Sequence, residues 1–314
     1  MDSKYETVQV IKRAAARGGY SVICADEDLS YSFDLILRKD EEIIVVKVMA
    51  NVAQITEEMS KSMIAICKFL NAHPLVVGFT NREERIEDGV VYTRYSLPII
   101  SRQTLTSYLT EGIEPTVRAG PGGFYVEIDS ERLRRIRTEK MLSLGDIASA
   151  IGTTRRTVLM YESGMSASID IALKMEEFLG EDILDYVSFL WNVDSQNLSV
   201  SFRKMREFER MVKAEMESKG FSVFPLRKSI VNFLAEDKDM SYFGGIEEEV
   251  SRIRKKVEYL KELYELSNKA GILIVKKEGE VSDDYGVPII SYSELSRVKD
   301  KQEFKEILKE RRVG

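Results

Sequence analysis

The sequence predicts a chain of mixed class, in which two α/β domains flank a small all-α domain. Three observations lead to this prediction. Apolar strand patterns alternate with helical patterns over residues 1–112. Four short helical patterns follow one another between residues 129 and 179. The motif Pro-Ile-Ile-Ser stands at residues 98–101 and again at 288–291, each time before a helical pattern, as in an internal repeat.

The composition limits the kinds of partner that the chain can have. Its 314 residues allow two or three domains, and 44% of them are hydrophobic. The formal net charge of -6 argues against a protein that coats nucleic acid without selectivity. Residues 131–156 differ, because they hold seven basic and three acidic side chains. A basic segment within an acidic chain favours selective binding of a polyanion.

Thiol and imidazole groups are too few and too scattered for a zinc site. Cys24 and Cys67 lie in separate apolar runs without CxxC spacing, and His73 is the only histidine. We therefore expect two free thiols, no bound metal and no cofactor. The sequence shows no signal peptide and no apolar run long enough to span a bilayer, so we expect a cytoplasmic protein without a membrane partner.

The N-terminal segment begins with a helix at residues 3–17, which Gly18 and Gly19 end. An acidic loop at residues 26–28 separates the first two strands, and a short turn at residues 38–41 joins the next two as a hairpin. The elements predicted after the first helix are strands at 20–25, 33–37 and 43–48, a helix at 55–70, strands at 75–79, 90–95 and 97–100, and a helix at 101–109.

Glycine and proline mark the predicted domain boundaries. The composition of residues 112–123 is that of a linker, and residues 124–128 follow as a short strand. A second linker is predicted at residues 194–197. The predicted domains are an α/β domain at 1–112, a linker with a short strand at 113–128, a helical domain at 129–192 and a second α/β domain at 193–314.

The central helical segment carries the local signals of a helix-turn-helix. Ser143, with Asp146 three residues later, predicts a capping box at the start of the second helix. Gly152 supplies the positive φ that ends this helix, and Thr153 is predicted to cap the third. The predicted inward residues are Leu133, Ile136, Ile147, Ala148, Ile151, Val158, Tyr161, Ile169, Leu173 and Leu179.

The last third of the chain echoes the first. An apolar stretch at residues 183–191, predicted to be helical, precedes it and either covers the helical domain or mediates self-association. The predicted elements are then a helix at 202–219, a strand at 229–234, a long helix at 246–268 and a strand at 271–275. The apolar spacing of the long helix fits packing on a sheet or a coiled-coil seam. On this prediction, the second copy has no counterpart of the strand at 43–48.

Residues 133–164 resemble the Cro/repressor-type (XRE) helix-turn-helix family without a gap. The matching positions are Ser143, Ile147, Ala148, Ile151, Gly152, Val158, Glu162 and Gly164. The resemblance implies that the third helix lies in the major groove of DNA. It assigns base contacts to Thr154, Arg155, Arg156 and Met160, phosphate contacts to Thr153, Thr154 and Thr157, and a further DNA contact to Ser143. Arginine suits the O6 and N7 acceptors of guanine, and threonine hydroxyls suit phosphates.

Two further positions follow from the same resemblance. Members of the family often pair an arginine of the first helix with a glutamate near the end of the third, and Arg137 and Glu162 occupy these places. We therefore assign this pair to structure. The family also has a glutamine just after the cap of the second helix, where this chain has Leu144. One expected DNA contact is missing, so the operator preference of the family does not carry over.

The element order of residues 1–112 resembles the restriction-endonuclease-like fold of archaeal Holliday-junction resolvases. Active members hold a divalent metal with an aspartate on the second strand and an acid-x-Lys on the third, often joined by a glutamate on the first helix. Glu6, Asp34 and Lys47 correspond to these positions, but Val45 stands at the place of the acid. The resemblance implies a degenerate domain with three vestigial residues. Asp34 and Lys47 then form an inert ion pair or line a pocket for a small ligand or the DNA backbone.

As a whole, the chain resembles an archaeal family of HTH-type transcriptional regulatory proteins. The resemblance implies a non-enzymatic, sequence-specific binder of double-stranded DNA that regulates transcription as a homodimer on a symmetric operator. Two other classes stay open. One is a metal-dependent, structure-selective DNA nuclease guided by the helix-turn-helix. The other is a protein-interaction module that no longer binds DNA. The sequence identifies no effector, operator or regulated gene.

Overall fold

The computed structural model describes residues 3–25, 32–191, 205–226, 231–238, 240–267, 269–276 and 286–311. The chain forms two compact units. The first contains Met1–Gly18, Val48–Gln54 and Leu75–Trp191, and the second contains Gly19–Lys47, Ile55–Pro74 and Asn192–Gly314. This division reflects which residues pack together and does not test the predicted domain boundaries, which stay predictions. The predicted acidic loop at 26–28 and the predicted linker at 194–197 lie outside the described residues.

The N-terminal elements agree with the sequence in kind and order. Ser3 caps the first helix, whose residues Val8, Ile11 and Ala15 are buried. A 3-10 turn at Val52–Gln54 precedes the second helix. The elements are α1 (Lys4–Arg17), β1 (Ser21–Cys24), β2 (Leu35–Lys39), β3 (Glu42–Asn51), α2 (Glu57–Leu70), β4 (His73–Asn81), β5 (Glu84–Arg85), β6 (Val90–Arg94), β7 (Leu97–Ile100) and α3 (Arg102–Glu111).

The predicted linker contains an additional strand. Beyond α3 the chain forms β8 (Val117–Gly120) and β9 (Gly123–Ile128), an antiparallel hairpin whose turn holds Pro121 and Gly122. In the first unit, β8 pairs in parallel with β6, which lies antiparallel to β7, and β7 is parallel to β4. Of the glycines that suggested a linker, Gly112 ends α3 and Gly122, with a φ of 86°, lies in the hairpin turn.

Four short helices follow, as predicted. They are α4 (Ser130–Glu139), α5 (Leu144–Ile151), α6 (Arg155–Tyr161) and α7 (Ile169–Leu179), and the two-residue strands β10 (Ala167–Ser168) and β11 (Leu184–Asp185) both pair with β9. Leu133, Ile147 and Val158 form the centre of their common core, each 0% exposed. The prediction for Leu173 was wrong, because α7 turns this residue outward and buries Met175 instead.

The apolar stretch at residues 183–191 is not helical. It forms β11 and then continues without regular structure to Trp191. Phe189 is nevertheless buried, and its ring lies edge-on to the ring of Tyr108 with centroids 5.0 Å apart. Ile183, at its start, belongs to the core of the helical domain, as the predicted covering role requires. Phe189 instead packs on α3 of the N-terminal segment, which was not predicted.

The second α/β segment repeats the element order of the first. In both segments a helix is followed by three antiparallel strands, a 3-10 turn and a second helix. Two strands that are parallel to each other and a further helix come after these elements in the same order. The elements are α8 (Glu207–Ser218), β12 (Ser222–Pro225), β13 (Phe233–Glu236), β14 (Ser241–Glu247), α9 (Ile253–Ser267), β15 (Ala270–Val275), β16 (Ile289–Ser291), α10 (Tyr292–Arg297) and α11 (Lys301–Glu310).

The long helix predicted from residue 246 was wrong in its first part. Ile246 lies in β14, and the helix begins only at Ile253. Gly244 and Gly245 fit the strand, because the ring of Phe233 fills the space beside Gly244 and a Cβ atom there would lie 2.0 Å from its Cζ. The strand that the sequence analysis assigned only to the first copy is therefore present in the second.

The second unit also packs parts of the two copies against each other. The ring of Phe69 on α2 lies 4.8 Å from that of Phe243 on β14, and the ring of Phe33 lies 6.5 Å from that of Tyr259 on α9. The ammonium of Lys269 lies 4.7 Å from the centre of the Phe69 ring. Residues from the N-terminal segment thus complete the core of the C-terminal one.

Candidate DNA interface

The start of α5 is fixed by a capping box. The Ser143 hydroxyl accepts a hydrogen bond from the Asp146 backbone N–H at 3.2 Å, and the Asp146 carboxylate accepts one from the Ser143 N–H at 2.7 Å. The Ser143 backbone bond is the main reason that the pKa of Asp146 lies below its ordinary value, and the charge of Arg155 contributes. Gly152, with a φ of 74°, ends the helix.

The third helix is capped by Thr154 rather than by Thr153. The Thr154 hydroxyl accepts a hydrogen bond from the Thr157 N–H at 3.2 Å and lies 2.9 Å from the Thr157 hydroxyl. The helix starts one residue later because Thr153 continues the turn, its N–H donating to the carbonyl of Ala148. Val158 anchors α6 in the core.

A bidentate ion pair joins the end of α6 to α4. Arg137 Nε lies 2.5 Å from Glu162 Oε1, and its Nη2 lies 3.1 Å from Oε2. The Glu162 side chain is almost fully buried, at 2% exposure. The hydrogen bond with Glu162 raises the pKa of Arg137. Arg134 adds a hydrogen bond to the Glu162 carbonyl, at 2.9 Å. The pair therefore fixes the direction of α6 relative to α4.

The other residues assigned to DNA contact lie on or near the surface of the helical domain. Arg155, Arg156 and Met160 are exposed on α6, whereas Thr153 and Thr157 are half-buried. The guanidinium of Arg155 lies against α5, because a Cβ atom on Gly145 would be only 2.9 Å from Arg155 Nε. The sequence did not indicate that one of these two adjacent arginines lies against the neighbouring helix.

The vestigial nuclease residues offer few ligands for a metal in the described part of the chain. Asp34 and Lys47 are buried and form an ion pair, with Lys47 Nζ 3.2 Å from Asp34 Oδ1. Val45 is fully buried and offers no ligand, so one carboxylate already bonded to lysine is a poor donor set for a hard cation. Glu6 is exposed in the first turn of α1, in the first unit. Within the described residues, no three His, Cys, Asp or Glu side chains are grouped to hold a metal.

The second copy contains a related ion pair that the sequence analysis missed. The Asn232 N–H donates to the Gly244 carbonyl as the Asp34 N–H donates to that of Val46, so Gly245 stands at the place of Lys47. Lys256 on α9 fills this space, and its Nζ lies 3.0 Å from Asn232 Oδ1 and 3.3 Å from Glu247 Oε2.

Both copies therefore place an ammonium beside the residue that precedes the second strand. Burial lowers the pKa of Lys256, while the carboxylate of Glu247 acts against this shift. The only sequence signal for this arrangement was a lysine next to the apolar positions Ile253 and Val257 of the helix. The two lysines serve the same packing role from different elements.

Comparison with known proteins supports both resemblances. A model described as a PD-(D/E)XK superfamily domain matches residues 4–115, and a helix-turn-helix model matches residues 133–186. A "Putative HTH-type transcriptional regulatory protein" of Methanocella arvoryzae is 32% identical over 90% of this chain and 89% of its own length. A protein of the same description from Picrophilus torridus is 30% identical over 99% of both chains.

The chain belongs to this archaeal family of HTH-type transcriptional regulatory proteins. A relative from Archaeoglobus fulgidus, 30% identical over 97% of both chains, has the same description. None of the solved structures compared with the chain gives a significant match. Within the residues that the structure describes, none of the helices is long and apolar enough to cross a membrane.

Proposed function

We propose that the protein binds double-stranded DNA sequence-specifically and regulates transcription. The observation that carries the proposal is the rigid pair of α5 and α6, which presents the exposed side chains of Arg155, Arg156 and Met160 on one short helix. The capping box at Ser143 fixes the start of α5, and the buried Glu162 carboxylate fixes the end of α6; none of their hydrogen bonds involves these three side chains. The descriptions of the relatives as transcriptional regulatory proteins agree with this function.

We further propose that the protein acts as a homodimer in the cytoplasm. A helix of seven residues exposes only a few side chains to the major groove. Two such helices on half-sites about one helical turn apart give the specificity that a regulator needs. The operator is therefore expected to have two-fold symmetry.

A DNA-binding test separates this function from a protein-interaction module. Purified protein would be titrated with duplex DNA at several salt concentrations. We expect the observed affinity to fall steeply as salt rises, because binding of phosphates releases counterions. A helix-turn-helix that no longer binds DNA would show no salt-dependent binding.

The competing candidate is a metal-dependent nuclease, which the family model for residues 4–115 favours. Val45 at the place of a metal ligand and the buried pair of Asp34 and Lys47 argue against it. Incubation of the protein with branched and linear duplex DNA and magnesium should leave both intact. Magnesium-dependent cleavage that the Asp34→Asn variant abolishes would establish the nuclease instead.

A further inference from the structure

We propose that Arg156, Leu159 and Met160 form the base-reading stripe of α6, and that Arg155 is a positioning residue that contacts the DNA backbone. This assignment rests on the proposed DNA-binding function and refines it. It gives two adjacent arginines separate roles.

The helical geometry of α6 separates the two arginines. Val158 faces inward and is 0% exposed. Each residue of an α-helix adds a rotation of about 100°. Arg156 therefore lies opposite the buried side chains of Val158 and Tyr161. Arg155 lies at the edge of the exposed face, between Val158 and Leu159. Arg156 shares its face with Leu159 and Met160, whose side chains are 49% and 45% exposed. The outward stripe of α6 therefore consists of one arginine and two apolar side chains.

The surroundings of Arg155 hold its guanidinium beside α5. A Cβ atom on Gly145 would lie 2.9 Å from Arg155 Nε and 3.3 Å from its Cζ. The positive charge also acts on the carboxylate of Asp146 in the same turn of α5. A guanidinium held at one place on the protein suits a contact that every DNA sequence offers, which is a phosphate.

The composition of the outward stripe indicates which bases it recognises. The guanidinium of Arg156 can donate to O6 and N7 of guanine together, and apolar side chains contact the methyl group of thymine. From Arg156 to Met160 the helix rises by about 6 Å, close to two base-pair steps of about 3.4 Å each. The expected half-site therefore has a guanine and, within about two base pairs, at least one thymine.

The first test is selection of bound DNA from a random duplex pool. It compares the wild type with Arg155→Ala, Arg156→Ala and the control Lys174→Ala, which removes an exposed charge from α7. Arg156→Ala should reduce the preference for guanine at one position by about 5- to 100-fold. Arg155→Ala should weaken binding of all sequences by one factor, and should reduce the salt slope by about 0.9.

Two further measurements distinguish the position of the Arg155 guanidinium from its charge and test the apolar contacts of Leu159 and Met160. Gly145→Ala keeps the charge of Arg155 but displaces its guanidinium, so it should also weaken binding uniformly without changing base preference. Replacing the selected thymines by uracil should weaken wild-type binding about fourfold per lost methyl contact. The double variant Leu159→Ala, Met160→Ala should not respond to this replacement.

The outcomes distinguish the assignment from the function on which it rests. A changed base preference in Arg155→Ala, or an unchanged one in Arg156→Ala, overturns the assignment while DNA binding stands. Failure of the wild-type protein to enrich any sequence overturns the proposed function itself. Equal thermal unfolding of all variants confirms that the differences arise at the interface, since each of the substituted arginines is exposed.

Discussion

Glu162 shows how a single buried side chain supports the candidate DNA interface. Its carboxylate is 2% exposed, and both of its oxygens contact Arg137. A buried carboxylate without a partner costs much more than its ion pair contributes. The direction of α6 therefore depends on an arginine that belongs to a different helix.

Replacement of Arg137 by alanine should destabilise the protein strongly. We expect the free energy of unfolding to fall by about 3–5 kcal/mol, because the buried carboxylate loses both hydrogen bonds to Arg137. It keeps only the more distant Arg134, whose Nε lies 3.6 Å from Glu162 Oε2. Urea unfolding measures this change. The matched control is Arg135→Ala, which removes an exposed arginine of the same helix and should change stability by about 0.5 kcal/mol or less. Equal effects of the two substitutions would contradict the structural role of the pair.

The buried pair of Asp34 and Lys47 allows a test of the inert-scaffold interpretation. Lys47→Met should lower the free energy of unfolding by about 3–5 kcal/mol, because the buried carboxylate of Asp34 loses the ammonium beside it. The double variant Asp34→Leu, Lys47→Met should recover most of this loss. Its affinity for the selected DNA should equal that of the wild type. A folded double variant that binds DNA more weakly would show that the pair lines a binding pocket.

At the residue scale, the sequence predicted contacts that depend on local spacing. Ser143 and Asp146 form the predicted capping box, and Arg137 lies against Glu162. The cap of α6 was placed one residue early, because both Thr153 and Thr154 have a suitable hydroxyl. The different surroundings of Arg155 and Arg156 were not predictable, because they depend on the distance between α5 and α6.

At the element scale, the charge of Asp146 should make the start of α5 sensitive to acid. Its pKa is lowered from the ordinary 3.8, so its contribution to stability is present above this pH and is lost as the pH falls through the folded-state pKa. We expect Asp146→Asn to lower the melting temperature at pH 7 and to have less effect at pH 3. Glu177→Gln, an exposed control on α7, should have little effect at either pH. A pH-independent effect of Asp146→Asn would contradict this account.

The elements that the sequence misjudged share a cause. Ile246 of β14 has the same apolar spacing as the residues of the following helix and was therefore assigned to that helix. The glycine at position 244 belongs to a strand because the ring of Phe233 packs on it. In the stretch from residue 183 to 191, Phe189 is buried by Tyr108, which is distant in sequence. Helices with caps and regular apolar spacing were predicted well. The apolar strands of the N-terminal segment were also predicted well, whereas β14 and the stretch at residues 183–191 were not.

At the scale of the whole molecule, the repeated α/β segments differ from what the sequence alone suggested. The second copy keeps the third strand, with Gly245 at the place of Lys47, and takes its lysine from α9. The sequence revealed the repeat through Pro-Ile-Ile-Ser but not this exchange, because Lys256 belongs to the following helix and reaches Asn232 across 24 positions of the chain. Both copies preserve the packing of a lysine and neither shows a metal donor set in its described residues.

The central claim is that the whole protein recognises a symmetric DNA sequence and leaves it intact. Selection of bound DNA from a random duplex pool, with the purified full-length protein and magnesium present, tests this claim most directly. We predict enrichment of an inverted repeat with half-site centres about 10 base pairs apart, recovered uncut. Recovery of cleaved DNA, or of bound DNA without any enriched sequence, would contradict the claim.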